Sequence, residues 1–322
     1  MLVPQKCQCD IRHKISQMSY LSFVWALIIV WYETTNQRTA KRRQTLYYEE
    51  CCTPATAALR HNEVSIVSSS LLDKRETRIR TMFGNIAHRY DLLNHLLSLN
   101  IDRYWRWRTT RLAPPHVPAA GIAAPILDVC TGTGDLALAY DRAAKQRVPI
   151  IGTDFCLPML LPARTKTQRR RATDRIRYVE ADTQRLPFPD DTFQLTTVAF
   201  GLRNVTNTDR GLAEMVRVTQ PGGRVAILEF SQPHHWLFGR LYRFYFHCIL
   251  PYIGQVVSRS RDNAYKYLPA SVREFPEGEA LAEKLRSHGL TEIHWHPLTF
   301  GIATLYIGTK TGKRSIREPA MA

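Results

Sequence analysis

Residues 124–135, APILDVCTGTGD, read together with residues 150–155, IIGTDF, decide the fold of this chain. Ile126, Leu127 and Val129 make a short apolar run of the kind that forms a buried parallel strand. Asp128 interrupts the run, and Gly132 and Gly134 follow at once. Two glycines with one residue between them let a chain turn sharply and let its backbone approach a ligand closely. Residues 136–144 then read as a helix, so the loop lies between a strand's carboxyl end and a helix amino terminus. In open α/β sheets nucleotide-like ligands sit there. About one βαβ step later Asp154 ends a second apolar strand, placed to accept hydrogen bonds from a ribose. Gly132, Gly134 and Ala137 also satisfy the dinucleotide fingerprint G-x-G-x-x-G/A. The loop alone therefore leaves a nicotinamide or flavin cofactor and S-adenosylmethionine both open.

Outward from this corner, apolar runs alternate with helical patterns, which argues a mostly parallel sheet. Strands are predicted at 126–130, 150–153, 176–180, 194–199 and 224–230, and helices near 135–145, 157–170 and 207–219. A helix over 278–288 and two closing strands, 291–297 and 302–309, finish the domain. TQPGGR (219–224) reads as a turn between a helix and a strand. On the amino-terminal side, Ile79, Met82, Phe83, Ile86, Tyr90, Leu93 and Leu97 carry a helical apolar period over 74–99. NIDRYWRWRTTRL (100–112) continues as a second helix, with its tryptophans against the core in the plainest reading. The stretch 232–276 is rich in aromatics, from Trp236 to Phe275, and reads either as an amphipathic cap or as an apolar lid over a hydrophobic substrate.

The formal net charge is +16 over 322 residues, which favours anionic partners. Basic patches such as RTKTQRRRATDRIR (164–177) lack the interleaved aromatics of a single-stranded nucleic-acid groove, so a membrane surface is preferred to nucleic acid. The seven cysteines include no matched C-x-x-C pairs, so no zinc or other metal site is expected, and the thiols are expected to be reduced and cytoplasmic. Residues 1–70 differ in style from the rest. The apolar run YLSFVWALIIVWY (20–32) has 13 residues, short of the roughly 20 that span a bilayer. An anchor, a targeting segment and an upstream stretch translated from a misplaced start all fit it. The chain thus divides into a poorly ordered extension (1–70), a catalytic domain (71–312) and a flexible tail (313–322).

Residues 179–205, VEADTQRLPFPDDTFQLTTVAFGLRNV, discriminate between the donors. Asp182 ends the third strand, where a carboxylate reaches an adenine amine, and no second mononucleotide half follows as a nicotinamide enzyme requires. A methyl donor is favoured. LDVCTGTGDLA, GTDFCLPML, ADTQRLPFPDDTF, FGLRNV and QPGGRVAILEFSQP closely resemble the demethylmenaquinone/ubiquinone-biosynthesis C-methyltransferase family (UbiE/MenG), as do RYDLLN and YKYLPASVREFP. The resemblance covers about residues 75–312, with FGLRNV and RYDLLN specific to the family and the glycine loop shared by the whole superfamily.

The resemblance implies a Rossmann-like class I S-adenosylmethionine-dependent methyltransferase. Its seven-stranded, mostly parallel sheet would carry an amino-terminal helical cap and an aromatic-rich lid. It implies methyl transfer to a ring carbon of a polyprenylated quinol. Demethylmenaquinol is preferred; a methoxybenzoquinol of ubiquinone synthesis is the alternative, and a non-catalytic scaffold of a quinone-synthesis complex is a reading of another class. Asp128, Gly132, Thr133, Gly134, Asp154, Asp182 and Thr183 would hold the donor. Relatives often carry Ser or Thr just before FGLRN, where this chain has Ala199. Arg203 would steady the phenolate that makes the ring carbon nucleophilic, while Tyr90 and Asn204 position a water or the quinol oxygen. The plainer reading of Arg203 is a structural salt bridge, and that of Tyr90 is core packing. His234, His235 and His247 are left outside the catalytic set. The expected setting is the inner face of a membrane, peripherally bound, with pairing to a second copy of the chain left open.

Overall fold

The computed structural model describes residues 76–88, 90–121, 123–233 and 264–312. The extension 1–70, the tail 313–322, the three histidines set aside above and most of the aromatic stretch lie outside the described residues.

Seven strands form one sheet: β1 (Ile126–Val129), β2 (Ile150–Asp154), β3 (Ile176–Glu180), β4 (Phe193–Ala199), β5 (Thr219–Phe230), β6 (Leu290–Leu298) and β7 (Ala303–Lys310). Their order is β3-β2-β1-β4-β5-β7-β6. The first five are parallel, and β7 runs antiparallel to both β5 and β6. Strand order reverses between β1 and β4, which opens a crevice at their carboxyl ends. Every residue of β1 is buried because both sheet faces are covered. Ile126 faces a cluster with Leu136, Tyr140 and Leu160, whereas Leu127 and Val129 face one with Leu212, Met215 and Leu285. This two-sided burial is why the strand reads as a continuous apolar run.

Helices α1 (Glu76–Ile86), α2 (Tyr90–Leu97) and α3 (Ile101–Leu112) precede the sheet. The periodicity predicts one run over 74–99; the structure breaks it after Ile86, where Ala87 is buried against Cys156 and Met159. A second sharp joint follows α2, where Leu99 and Asn100 take left-handed backbone angles, φ 53° and 62°. Helices α4 (Asp135–Ala143), α5 (Leu157–Arg169), α6 (Thr208–Val218), α7 (Ala264–Glu274) and α8 (Glu279–Ser287) complete the described elements. TQPGGR differs from the expected turn: β5 already begins at Thr219, and its register with β4 jumps from Phe193↔Thr219 to Leu195↔Arg224. The excursion folds tightly, since a Cβ at Gly223 would lie 2.8 Å from the Gln220 carbonyl oxygen.

Helix α3 treats its tryptophans unequally. Trp105 is 2% exposed, packs on Phe200 and Phe230 at centroid distances of 5.7 and 5.9 Å, and donates its indole N–H to Thr299 Oγ1 at 2.8 Å. Trp107 is 49% exposed. Trp105→Ala removes a filled volume and a buried hydrogen bond, so thermal unfolding should show a loss of about 3–5 kcal/mol. Trp107→Ala should stay within about 0.5 kcal/mol of the parent protein.

Candidate functional site

The site forms where β1 and β2 end. After β1 the chain turns through Cys130, Gly132 and Gly134, with φ of 49°, 56° and 80°. Thr131 N–H donates to the Thr153 carbonyl at 2.8 Å, tying the turn to β2. The two glycines serve different ends. A Cβ at Gly134 would overlap the Tyr178 hydroxyl and sit 3.2 Å from Ala163 Cβ, so this position needs glycine for packing. A Cβ at Gly132 would meet only Met159 Cε, at 3.4 Å, and Gly132 borders open space.

That space is a cleft of about 640 Å³, including its mouth, lined by Tyr90, Gly132, Asp154, Asp182, Thr183 and Asn204 among others. Six of the ten residues singled out in the sequence therefore share one cavity. Asp154 stands at its base with one oxygen accepting Gly132 N–H and the other Cys156 N–H, both at 2.9 Å. Burial pushes its pKa up to about 6, against those two amide bonds. Asp128 lies deeper, 1% exposed. Thr131 Oγ1 donates to it at 2.6 Å, and burial raises its pKa to about 7. Asp128 thus shapes the loop from behind and does not line the cleft. Asp182 lies two residues beyond β3 instead of closing it, and takes both the backbone and the side-chain N–H groups of Gln184. Thr183 is buried with its hydroxyl 3.3 Å from Cys130 Sγ. Ala199 also lines the cleft.

Thr133 is turned away from the cleft. Its hydroxyl donates to Asp91 of α2 at 2.5 Å. Asp91 in turn meets Lys166 of α5 at 2.8 Å, and Lys166 meets Asp135 of α4 at 2.6 Å. Asp102 of α3 joins the neighbouring network by accepting from Ser98 at 2.7 Å and from Arg106, and by lying 2.8 Å from His95 Nδ1. Burial would raise Asp102, but the Arg106 charge and these hydrogen bonds outweigh it and hold the carboxyl below its ordinary range. His95, Asp102 and Asp135 stand close enough to share a cation. Arg106 and Lys166 already supply the positive charge there.

Arg203 sits behind the cleft, not in its lining. It belongs to the single helical turn Leu202–Asn204 after β4 and is 6% exposed. Its Nη1 donates to Glu229 Oε2 at 2.8 Å and to the Phe200 carbonyl, and its guanidinium lies 5.2 Å from the Phe230 ring centre. The geometry is that of a buried ion pair, with Arg203 Nε left without a partner. The next residue, Asn204, does reach the cleft, and its buried Oδ1 also lacks a hydrogen-bond partner. Tyr90 lines the same space edge-on to Phe83, ring centres 6.0 Å apart. Burial raises its pKa, opposed by a hydrogen bond with Asn94 and the charges of Arg203 and Arg106, so the phenol stays neutral.

Three participants escape the sequence reading. Glu229 lies within a β5 run that reads simply as strand. Tyr267 of α7 is 4% exposed beside Ile79 and Met82, with its hydroxyl unpartnered. Asp91 sits inside RYDLLN, whose specificity was the available signal.

The model of the ubiE/COQ5 methyltransferase family matches residues 71–310. A ubiquinone/menaquinone biosynthesis C-methyltransferase from Geobacter sulfurreducens is 46% identical over 239 residues, covering 74% of this chain and 91% of that protein. A demethylmenaquinone methyltransferase from Deinococcus radiodurans is 46% identical over 232 residues, 72% of this chain and 92% of that protein. Among solved structures, a SAM-dependent methyltransferase from Thermotoga maritima shares the fold, with a TM-score of 0.50 at 16% identity over 72% of this chain and 99% of that one. With a family model spanning most of its length and relatives this similar over nearly their whole length, the chain belongs to the ubiE/COQ5 methyltransferase family.

Proposed function

We propose that this chain methylates a ring carbon of a polyprenylated quinol, demethylmenaquinol in the first instance, using S-adenosylmethionine. The observation that carries the reading is the cleft at the β1–β4 reversal, which gathers Asp154, Asp182, Thr183, Tyr90 and Asn204 in one lining. The names of the relatives supply the substrate class, and the ubiquinone name borne by the Geobacter sulfurreducens protein keeps a methoxybenzoquinol as the second reading.

The residues present fit the donor. Each Asp154 oxygen accepts one amide in the structure, and a carboxylate oxygen has a second lone pair free for a ribose hydroxyl. Gly132 leaves room for close approach, and the Asp182 carboxylate accepts from an amine such as that of adenine. When bound, S-adenosylmethionine supplies an electrophilic methyl on a positively charged sulfur.

The protein's own task is to make the ring carbon nucleophilic and line it up. A quinol hydroxyl that loses its proton sends charge onto the ring. Asn204 Oδ1, an unpartnered acceptor, holds the water that takes this proton. Tyr90, kept neutral, donates to the resulting oxyanion. The new carbon–methyl bond forms as the sulfur–methyl bond breaks, and the ring proton then leaves to solvent. Arg203 contributes from behind: with Glu229 it fixes the Leu202–Asn204 turn that presents Asn204. Peripheral attachment to a membrane brings the enzyme to its lipid substrate. Among the described residues no helix is long and apolar enough to cross a membrane. In this reading residues 71–312 form the catalytic domain.

Purified protein given methyl-labelled S-adenosylmethionine and each quinol should move label into the lipid extract, faster with demethylmenaquinol. No transfer to either quinol would overturn the reading. Asp154→Asn should weaken donor binding by about 1.5–3 kcal/mol by calorimetry. Hydroxyls bind the ionised carboxylate better, so parent affinity should fall as pH drops through about 6, and the variant should lose that dependence. Tyr90→Phe should lower kcat at least about tenfold with donor affinity and Tm little changed. Arg203→Ala strands Glu229 and should instead cost about 3–5 kcal/mol of stability in thermal unfolding.

A further inference from the structure

Consecutive residues of α2 divide two cavities. Tyr90 lines the cleft described above, and Asp91 lines a larger groove of about 1890 Å³, including its open mouth. The groove is framed by α3, the carboxyl-terminal turns of α4 and α5, and the residues that follow them. Arg103, Arg142, Lys145, Arg169 and Arg170 line it, and among the described residues none of the five forms an ion pair with a carboxylate. At the rim, Trp107 is 49% exposed and Tyr104 is 47% exposed, their rings 5.9 Å apart. Arg111 lies over the Trp107 ring at 5.7 Å.

The plainer explanation is that basic residues in the last turn of a helix complement its dipole. It covers Arg142 and Arg169, which stand in such turns. It does not cover Arg103, in the first turn of α3, where the dipole opposes a cation. Nor does it explain crowding: burial, then the charges of Arg170 and Arg103, push Arg142 below the ordinary arginine range despite Asp135 and Asp141. Eight arginines and lysines line the groove against two carboxylates, Asp91 and Asp135, and both of those already pair with Lys166, which leaves the groove short of anions. Exposed Trp and Tyr beside the cations are the side chains that settle at the headgroup level of a bilayer.

We infer that this groove is the chain's membrane-docking surface, seating the phosphate headgroups of anionic phospholipid while Tyr104 and Trp107 enter the interfacial layer. The inference rests on the proposed function for its choice of a bilayer over nucleic acid, since the quinol would be drawn from a bilayer. It goes further by naming the surface and its chemistry, and it seats the cleft beside the lipid, one α2 residue away.

The test uses the full chain and sedimentation with phosphatidylcholine vesicles, with and without phosphatidylglycerol. The quantity read is the increase in binding that phosphatidylglycerol adds. Arg142→Glu with Arg170→Glu should reduce that increase by at least about thirtyfold, because each basic residue at an anionic surface contributes about fivefold. Trp107→Ser should reduce partition onto the same vesicles, and added salt should erase the increase in the parent protein. Near-parent Tm excludes misfolding, and if the double variant unfolds, Arg169→Glu with Lys145→Glu on the exposed rim is read in its place. An increase left intact by the charge reversals would overturn the inference. So would an RNA oligonucleotide whose binding is lost in the variant while the vesicle increase persists. Methyl transfer to a short-chain, water-dispersible quinol should be the same in parent and variant. Absence of transfer in both strikes the proposed function and leaves the vesicle result to be judged by itself.

Discussion

The site depends on one carboxylate placed between two backbone amides. Asp154 ends β2, and its oxygens accept from Gly132, on the loop after β1, and from Cys156, on the loop after β2. Two loops that leave neighbouring strands are thereby held by a single residue. Amide hydrogen bonds to an ionised group are worth about 1.5–3 kcal/mol each. Burial works against them, and the balance leaves Asp154 titrating near 6. Asp128, one strand over, instead accepts the hydroxyl of Thr131 on its own loop. The glycine turn is therefore shaped by what its side-chain neighbours demand of the backbone before any ligand arrives.

Much of this was legible because its physics is local. An apolar run of strand length, two spaced glycines and a terminal Asp state a strand, a turn and an acceptor in chain order. The structure places all seven strands within a few residues of their predicted positions, apart from the early start of β5. That exception has a clear cause. A composition of Pro and Gly signals a turn, whereas the actual path is a bulge between Thr219 and Arg224 that resumes pairing with β4. The single predicted helix over 74–99 fails for a related reason. The turn at Ala87 interrupts the helix without interrupting the spacing of apolar residues, so the break leaves no mark in the pattern.

What was not legible involves partners distant in sequence. Arg203 and Glu229 are 26 residues apart, and nothing in either neighbourhood announces their ion pair. The family resemblance implies a donor contact for Thr133, yet its hydroxyl is 2.5 Å from Asp91, 42 residues upstream. Both cases share a lesson about charged and hydroxyl side chains near a ligand loop. Adjacency in sequence says which side chains are near the ligand, but only the fold says which of them are already engaged. Asn204 and Tyr267 are informative for the opposite reason, since each keeps a buried polar atom without a partner close to the Arg203 turn. Such atoms are costly unless something binds them.

The two sides of the glycine loop also respond oppositely to acid. On the α2 side, Asp102 and Asp135 are held below the ordinary carboxylate range; burial opposes this, and Arg106 leads the charges that overcome it. Their contribution to stability is complete above the unfolded pKa and is lost as pH falls through the folded value. On the sheet side, Asp154 and Asp128 are raised by burial to about 6 and about 7. Their contribution is complete below the unfolded pKa and is lost as pH rises through those values. Near neutral pH the α2 wall is thus at full strength while the loop carboxylates carry a desolvation penalty. Hydroxyls of a bound ligand relieve such a penalty at Asp154 by restoring hydrogen bonds that burial withheld. Under the proposed function, donor affinity draws on that relief of desolvation at the carboxylate, beside a wall fixed by Asp91, Lys166 and Asp135.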